Sequence, residues 1–350
     1  MSTPNGESTR RQKPRLRRAF VLDIDGCLSR EGVPIAGSSE GLAKLRSLGV
    51  PFVFCTNGGG HLEADRAKKL SKTFGIDISP EQVIQSHTPL RTLVVPRLQD
   101  WRVLVVGENC GAVARSYGFA KAEGIREYGK RHHSLFPRSR DSDPITAIAD
   151  DSDDPVRAVL FFDDPEDLGE ALQIVLDVVL SNGNPSGPRV LQEAGATQAV
   201  EVWFTNPDKV YSSLARHPRL TQGSYRMCLE TLFASATGGM RSLDARQLGK
   251  PSRETGECAL AKLLSQFGET PADEVEIWTV GDNPLSDVAL AKTMGWKSAL
   301  VRTGIWDGRS PPEVEPTLRV DSFAALLEML MSEDEEENAE TEKEEDGHKG

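Results

Sequence analysis

Short apolar runs of β-prone residues alternate with amphipathic helical patterns along most of the chain, and this alternation constrains the fold more than any other feature. The runs are RAFVLDID, VPFVFCTN, WRVLVVG, RAVLFFDD, AVEVWFTN, VEIWTVGD and WKSALVRTG. The helical segments between them carry apolar residues three to four apart and cover residues 38–48, 63–74, 166–180, 225–233 and 253–267. Because strands that alternate with helices form βαβ units, the sequence predicts an α/β protein with parallel sheets.

The charge of the chain is concentrated at its two ends. The net charge is −12 over 350 residues, and the last twenty residues, MSEDEEENAETEKEEDGHKG, are strongly acidic. We expect residues 329–350 to form a solvated, disordered acidic tail. Residues 1–17 are basic, and the sequence leaves three interpretations open for them: a disordered arm, a transit peptide, or a phosphate-binding arm.

The apolar runs and the cysteines indicate where in the cell the protein is expected to be. No run of about twenty apolar residues exists, so we predict no membrane span. The five cysteines are odd in number and never form C-x-x-C, which predicts reduced thiols rather than disulfides or a zinc site. We therefore expect an intracellular protein, either mitochondrial or cytoplasmic.

Polar side chains follow the first two predicted strands where those strands end. Asp23 and Asp25 lie two residues apart, so both carboxylates point toward one side before Gly26 allows a sharp turn. Thr56 follows the second strand and precedes Asn57 and three glycines, 58–60, whose backbone N–H groups favour an anion. Ligands of open parallel sheets collect at this carboxyl edge.

The third and fourth sets of polar residues lie far downstream. Lys250 precedes Pro251 at a predicted helix start, and Asp282 and Asp287 follow the strand VEIWTVG. Several close carboxylates repel one another unless a cation lies among them, and hard oxygen ligands suit Mg²⁺. One carboxylate is then available to attack phosphorus while its neighbour moves a proton, so the set predicts phosphoryl transfer.

With these motifs in place, the sequence resembles the haloacid dehalogenase (HAD) superfamily of Mg²⁺-dependent phosphatases. The resemblance implies a Rossmann-like core in which Asp23 is the nucleophile and Asp25 the general acid and base. Thr56 and Lys250 correspond to the second and third motifs. The implied metal ligands are Asp23, Asp25 through its carbonyl, and Asp282, with Asp287 as an alternate or outer ligand.

The segment between Thr56 and Lys250 is too long for a loop, and it resembles the C2-type cap of subfamily IIA. The predicted domains are a core of residues 18–88 and 240–328 and a cap of residues 89–239. Within the subfamily, segments such as QVIQSHTPLR and VGDNPLSDVALA resemble the branch named for the cat eye syndrome critical region protein 5. That resemblance implies mitochondrial placement and a link to glycerophospholipid metabolism.

Further residues are candidates for contact with the substrate. The notable ones are Asn57 and Gly58 beside Thr56, and Asn206 and Asp208 in the cap segment FTNPDKVY. Core–cap packing and turn formation explain the two cap residues equally well. The predicted partner is a small phosphorylated metabolite; no nucleic acid is predicted, and a homo-oligomer stays open.

Other functions fit the sequence less well. VVGENCG lacks the G-x-G-x-x-G spacing of dinucleotide sites, and LGKPS lacks the first glycine of a P-loop. Neither Cys27 nor Cys55 begins the C-x₅-R motif of cysteine phosphatases. Residues 130–155 read as a polar loop insertion with solvated His132 and His133. A non-catalytic binding protein and a phosphotransferase stay as alternatives.

Overall fold

Two parallel β-sheets flanked by helices organise the computed structural model, which describes residues 17–137, 154–193, 195–267 and 275–332. The strands are β1 (Arg17–Leu22), β2 (Ser29–Arg30), β3 (Val33–Pro34), β4 (Phe52–Cys55), β5 (Val83–Ile84), β6 (Arg102–Val106), β7 (Lys121–Gly124), β8 (Ala158–Phe161), β9 (Glu201–Phe204), β10 (Val210–Tyr211), β11 (Arg219–Leu220), β12 (Ala245–Gln247), β13 (Val275–Gly281), β14 (Lys297–Val301) and β15 (Leu318–Val320). The helices are α1 (Ser38–Ser47), α2 (Glu63–Phe74), α3 (Leu90–Leu93), α4 (Val95–Leu98), α5 (Cys110–Tyr117), α6 (Ile125–Arg131), α7 (Leu168–Leu180), α8 (Gln222–Ala236), α9 (Arg253–Leu264) and α10 (Ala289–Met294). A further helix covers residues 323–332.

The first sheet forms the core domain and has the order β15-β14-β13-β1-β4-β5, with every neighbouring pair parallel. Strand β1 is central, and its last four residues are buried. Burial on both faces explains why β1 reads as a continuous apolar run rather than an alternating one. In the β1–β13 register, Leu22 lies beside Val280. The acids that follow both strands are therefore brought to the same edge of the sheet.

The second sheet forms the cap domain and has the order β12-β9-β8-β6-β7, again with parallel neighbours. Separate apolar clusters cover its two faces. One contains α7 residues such as Ile174 and Val178, and the other contains residues of α5 such as Val113. The chain is thus an α/β protein with a Rossmann-like parallel core and an inserted α/β cap.

Three predicted domain limits differ from the structure. Strand β12 pairs with β9 of the cap sheet, so the chain returns to the core after Gln247 rather than at residue 240. The predicted basic arm ended at Arg17, but that residue begins β1. The predicted acidic tail began at 329, yet Leu330 is buried in the core cluster. Residues 1–16 and 333–350 lie outside the described residues.

The predicted polar loop at 130–155 is shorter at its start than the sequence suggested. Helix α6 extends to Arg131, and the next residue, His132, is buried and stacked on Tyr128 with ring centroids 4.2 Å apart. The expectation of a solvated His132 was therefore wrong, because an aromatic partner covers the ring. Residues 138–153 lie outside the described residues.

Two further expectations concern the membrane and the cysteines. Within the described parts of the chain, no helix combines the length and the apolar character required to cross a bilayer. All five cysteines are free thiols, and Cys27, Cys55 and Cys110 are buried. Cys27 has no exposed surface, and its Sγ lies 3.6 Å from the Val280 carbonyl oxygen. It therefore packs as a small core side chain two residues from Asp25.

Candidate active site

The carboxyl edge of the core sheet carries the acids predicted to react. Asp23 follows β1, and its backbone N–H donates to the Val280 carbonyl of β13 at 2.9 Å. Asp282 directly follows β13 and is 3% exposed. Asp287 lies five residues later in a one-turn π-helix, Pro284–Val288. Ligand atoms of these three carboxylates lie within 4.8 Å of one another.

Lys250 lies between two of these acids and is 1% exposed. Its Nζ donates to Asp23 Oδ1 and to Asp287 Oδ1, both at 2.6 Å. Removing an ammonium and carboxylates from water is costly unless they are paired with good geometry, and this arrangement supplies that pairing. Lys250 therefore fixes the relative position of Asp23 and Asp287.

Asn57 holds the backbone of Lys250 in place. The Lys250 N–H donates to Asn57 Oδ1 at 2.8 Å, and Asn57 Nδ2 donates to the Lys250 carbonyl at 3.1 Å. The side chain of Asn57 thus satisfies both backbone groups of the lysine in a buried position. The prediction that Asn57 contacts substrate concerned its backbone, and the structure shows its side-chain amide engaged within the protein.

The carboxylates are oriented by backbone N–H groups as well as by the lysine. Ile305 N–H donates to Asp282 Oδ2 at 2.6 Å, and Asn283 N–H donates to Asp287 Oδ2 at 3.1 Å. Three buried carboxylates, each with a fixed orientation, form a set of hard oxygen donors. Such a set fits Mg²⁺, which prefers carboxylates, water and phosphate oxygens.

The pKa values of the group follow from burial and mutual charge. Burial raises the pKa of Asp23 well above its ordinary value, although the Lys250 ammonium opposes this change. Burial, followed by the charge of Asp287, raises the pKa of Asp282 to about 7. Burial alone would lower the pKa of Lys250, but Asp23 and Asp287 together hold it well above its usual range. The carboxylates of the site therefore favour a positively charged group among them.

Glycines allow the carboxylates to lie this close to the backbone. A Cβ on Gly281 would lie 2.0 Å from Asp287 Cγ, and a Cβ on Gly304 would lie 1.8 Å from Asp282 Oδ2. Gly26 has φ +91°, and a Cβ there would lie 2.3 Å from Asp282 Oδ2. Any larger residue at these positions must displace a carboxylate or its supporting loop.

Replacing Gly304 by alanine tests this close packing. We expect the added methyl group to displace Asp282 and to weaken the apparent affinity for Mg²⁺ by at least about tenfold, as loss of metal-site support commonly does. Activity measured against Mg²⁺ concentration is the readout. Gly124→Ala is the matched control, because the nearest atom to its Cβ is 3.7 Å away. An unchanged Mg²⁺ dependence in Gly304→Ala would contradict the prediction that Asp282 is a metal ligand.

Asp25 and Thr56 lie beside the carboxylate group and line the same cavity. Asp25 is more open than Asp23, and its Oδ2 accepts from the Arg66 guanidinium at 3.4 Å. Thr56 Oγ1 accepts the Gly58 N–H at 3.0 Å, which leaves its hydroxyl hydrogen available to donate. The carboxylate of Asp25 is outside the group of three, so a role in metal binding would rest on its carbonyl oxygen.

Asp208 connects the cap to the core. Its Oδ2 accepts from Asn57 Nδ2 at 2.8 Å, and its Oδ1 accepts from Asn283 Nδ2 at 3.2 Å. Burial raises its pKa to about 6. Asn206 supports this loop, because its Oδ1 accepts the Asp208 N–H at 2.8 Å. Both residues line the cavity, but the carboxylate oxygens of Asp208 are used by the two core amides.

A cavity of about 330 Å³ lies over these residues, between the core and the cap. Its lining also includes residues that the sequence analysis did not single out, namely Glu31, Asp163, Asp164, Tyr211 and Asn283. A usable signal existed for two of them. Asp163 and Asp164 follow the end of β8 after Phe162, much as Asp23 follows the end of β1.

Comparison with known proteins agrees with this architecture. The family described as haloacid dehalogenase-like hydrolase matches residues 20–120, and the HAD-hydrolase-like family matches residues 247–326. A mitochondrial hydrolase of Saccharomyces cerevisiae is 32% identical over 341 residues, which cover 89% of this chain and 95% of that protein.

Two further relatives extend the comparison. A cardiolipin synthase (CMP-forming) / mitochondrial hydrolase fusion protein of Schizosaccharomyces pombe is 34% identical over 304 residues, which cover 84% of this chain and 50% of that protein. This chain therefore spans about half of the fusion protein. The p-nitrophenyl phosphatase of Archaeoglobus fulgidus has the same fold, with a TM-score of 0.57, 18% identity, and coverage of 90% of this chain and 100% of that one. On the strength of the match to the S. cerevisiae protein over nearly all of both chains, this protein belongs to the haloacid dehalogenase-like hydrolases.

Proposed function

We propose that this hydrolase cleaves a small phosphomonoester with Mg²⁺, and that Asp23 carries the phosphoryl group between the two halves of the reaction. The observation that supports this most is the placement of Asp23. It lies at the carboxyl edge of the sheet, paired with Lys250 and close to two further buried carboxylates, in the lining of one cavity. A cavity of about 330 Å³ is at the small end of the range for ligand sites, which favours a small substrate.

The donor set fits a magnesium ion. Asp23 and Asp282 would hold it with their carboxylates, together with the Asp25 carbonyl that the family resemblance implies. Asp287, whose two oxygens accept from Lys250 and the Asn283 N–H, would be an outer or alternate ligand. When bound, the ion offsets the negative charge of the carboxylates and of the phosphoryl oxygens. Lys250 would remain beside Asp23 and add a second positive charge near the phosphoryl group.

Asp23 supplies the nucleophile in the first half of the proposed reaction. Lys250 occupies Asp23 Oδ1, which leaves Oδ2 to attack phosphorus. The bond from phosphorus to the leaving oxygen breaks, and Asp25 gives that oxygen a proton. In the second half, water attacks the phosphoryl group on Asp23 while Asp25 takes the proton from the water. The bond to Asp23 breaks and the carboxylate is restored.

Other cavity residues are proposed to position the substrate. The Thr56 hydroxyl and the backbone near Gly58 would contact phosphoryl oxygens, while Asn57 acts through the backbone of Lys250. Asn206 and Asp208 form part of the cap wall that faces the leaving group. This wall excludes water when the cap is seated on the core, which favours the charged steps below it.

Metal removal and product analysis test the proposal. We expect the full chain to release phosphate from p-nitrophenyl phosphate with Mg²⁺, to lose at least 95% of this activity in EDTA, roughly as expected when a metal supplies several kcal/mol of charge stabilisation, and to recover it on adding Mg²⁺. Equal yields of nitrophenol and phosphate in the presence of glycerol indicate hydrolysis. An excess of nitrophenol over phosphate would identify a phosphotransferase, and activity that survives EDTA would contradict the metal assignment.

A further inference from the structure

The cavity lining has a one-sided charge. Eight of the residues that line the cavity are acids. Among the described residues, Lys250 is the one lysine or arginine in this lining. Lys250 is engaged by Asp23 and Asp287 at the phosphoryl end. The end that receives the leaving group therefore carries carboxylates without a lining cation to offset them.

Asp164 is a lining carboxylate at this end and, unlike Asp208, is not bound on both oxygens by core amides. It follows β8 in the cap and is partly buried. Its Oδ1 accepts the Thr221 hydroxyl at 2.9 Å. No lysine, arginine or histidine of the described residues forms an ion pair with it within 4.0 Å, and burial raises its pKa to about 7. An ionised carboxylate in this position is stabilised by any nearby cation.

Glu31 faces the same space from the core. It forms the tip of the β2–β3 hairpin with φ 47°, and its Oε1 accepts the Leu214 N–H of the cap at 3.0 Å. The pKa of the Tyr211 hydroxyl is raised first by burial and then by the charges of Asp164, Glu31 and Asp25. Tyr211 and these three carboxylates line the same cavity.

The nearest cations do not neutralise this region. Arg66 binds Asp25 at 3.4 Å and does not line the cavity. Its charge also lowers the pKa of Asp163, which is nevertheless raised overall by burial. Arg219 lies opposite Tyr211 in the β10–β11 pair and is exposed; its charge opposes the rise in the Tyr211 pKa, but the residue does not line the cavity. Asp164 and Glu31 thus line the cavity without an ion pair to a lysine, arginine or histidine of the described residues, although hydrogen bonds from Thr221 and the Gln222 backbone stabilise the Asp164 carboxylate.

We propose that the cavity selects phosphomonoesters whose leaving group carries an ammonium cation, and that Asp164 and Glu31 determine this specificity. The inference rests on the proposed function, because it assumes that the phosphoryl group lies at Asp23. A leaving group with a carboxylate or second phosphate would meet like charges in a partly desolvated space, whereas an ammonium group would meet opposite charges.

Asp164 also has a local structural role, and the test must distinguish this role from the effect of its charge on the substrate. Thr221 precedes α8, so Asp164 supports the start of that helix through the Thr221 hydroxyl. Asp164→Asn keeps an oxygen acceptor for this hydrogen bond and removes the charge. Asp167→Asn is a matched control, because Asp167 caps α7 by accepting the Glu170 N–H at 3.0 Å and does not line the cavity.

Three substrates of nearly equal size differ in the charge of the leaving group and so test its effect separately from size. They are phosphoethanolamine, ethylene glycol monophosphate and phosphoglycolate. With the full chain and Mg²⁺, we expect kcat/KM to decrease in that order, by about tenfold or more for each unit of charge. Asp164→Asn and Glu31→Gln should each reduce the ratio between phosphoethanolamine and phosphoglycolate by about fivefold or more. Asp167→Asn should leave this ratio unchanged.

The outcomes separate the inference from the proposed function. Turnover of p-nitrophenyl phosphate with no preference for phosphoethanolamine, or with ratios that Asp164→Asn and Glu31→Gln leave unchanged, would overturn the inference alone. Absence of turnover with every substrate, the aryl phosphate included, would overturn both. Thermal melting of each variant identifies a folding defect, and Glu31→Gln, at an exposed hairpin tip, decides the question where Asp164→Asn does not fold.

Discussion

Replacing Asp23 by asparagine is expected to reduce phosphate release from p-nitrophenyl phosphate by at least about 10³-fold. The amide is nearly the same size as the carboxylate but is not a nucleophile toward phosphorus, so the first step is blocked while the contacts around it persist. Lys250 retains Asp287 as a partner at 2.6 Å. Initial rates with purified full chain and Mg²⁺ are the measurement.

Asp100→Asn is the control for this change, since Asp100 is an exposed acid that does not line the cavity. It should retain the rate of the unaltered chain, and both variants should melt within a few degrees of it. A rate for Asp23→Asn equal to that of the unaltered chain would remove Asp23 as the nucleophile. It would leave the carboxylates as a purely structural group.

Lys250→Met is expected to lower both stability and activity. The methionine is of similar length but leaves Asp23 and Asp287 buried without their shared ammonium group. Breaking a buried ion pair by removing one partner costs about 3–5 kcal/mol. Urea denaturation in the absence of divalent ions should show this decrease in the free energy of unfolding. Turnover should fall by about 10²-fold or more, as for the loss of one charged donor at a transition state.

Lys262→Met is the matched control. Lys262 pairs with Glu81 at 3.3 Å, and that glutamate is 80% exposed at its side chain. Because exposed ion pairs contribute about 0–1 kcal/mol, this variant should be nearly as stable as the unaltered chain. Mg²⁺ should stabilise Lys250→Met more than the unaltered chain, since the ion then supplies charge that the lysine no longer provides. Equal stability of the two lysine variants would contradict the pairing.

The sequence predicted the α/β fold because its strands and helices carry strong, regular patterns. Helix α2 covers Glu63–Phe74, as the apolar spacing indicated, and β13 falls within VEIWTVGD. The strands β2, β3, β5, β10, β11, β12 and β15 were not predicted, because runs of two or three residues show no readable pattern, and β7, Lys121–Gly124, was missed because it is not an apolar run. Missing β12 also placed the return to the core at 240 rather than after Gln247.

The positions of the candidate site residues could be predicted only in part. Strand ends can be identified locally, but sheet order cannot: Arg18 of β1 reaches Glu276 of β13 across a sequence separation of 258 residues. The proximity of Asp23 to Asp282 was predicted from the rule that ligands collect at the carboxyl edge of a parallel sheet and from the resemblance, not from a pattern local to either strand. The contacts of Asn57 with Lys250 and Asp208 were not predictable, because they join three distant segments. The finer branch assignment and the mitochondrial or cytoplasmic location stay predictions.

The hydrogen bonds from Asn57 and Asn283 to Asp208 affect how the cap can move relative to the core. Any rotation that lifts the cap loop from the core must separate Asp208 from Asn57 and Asn283. Two such hydrogen bonds to a carboxylate contribute a few kcal/mol in total, about 1.5–3 each. The contacts of Asn57 with the backbone of Lys250 do not involve the cap. Cap rotation would therefore break the contacts of Asp208 and others such as Tyr117 with Glu63 and Phe162 with His87, while the lysine and its acids keep their contacts within the core.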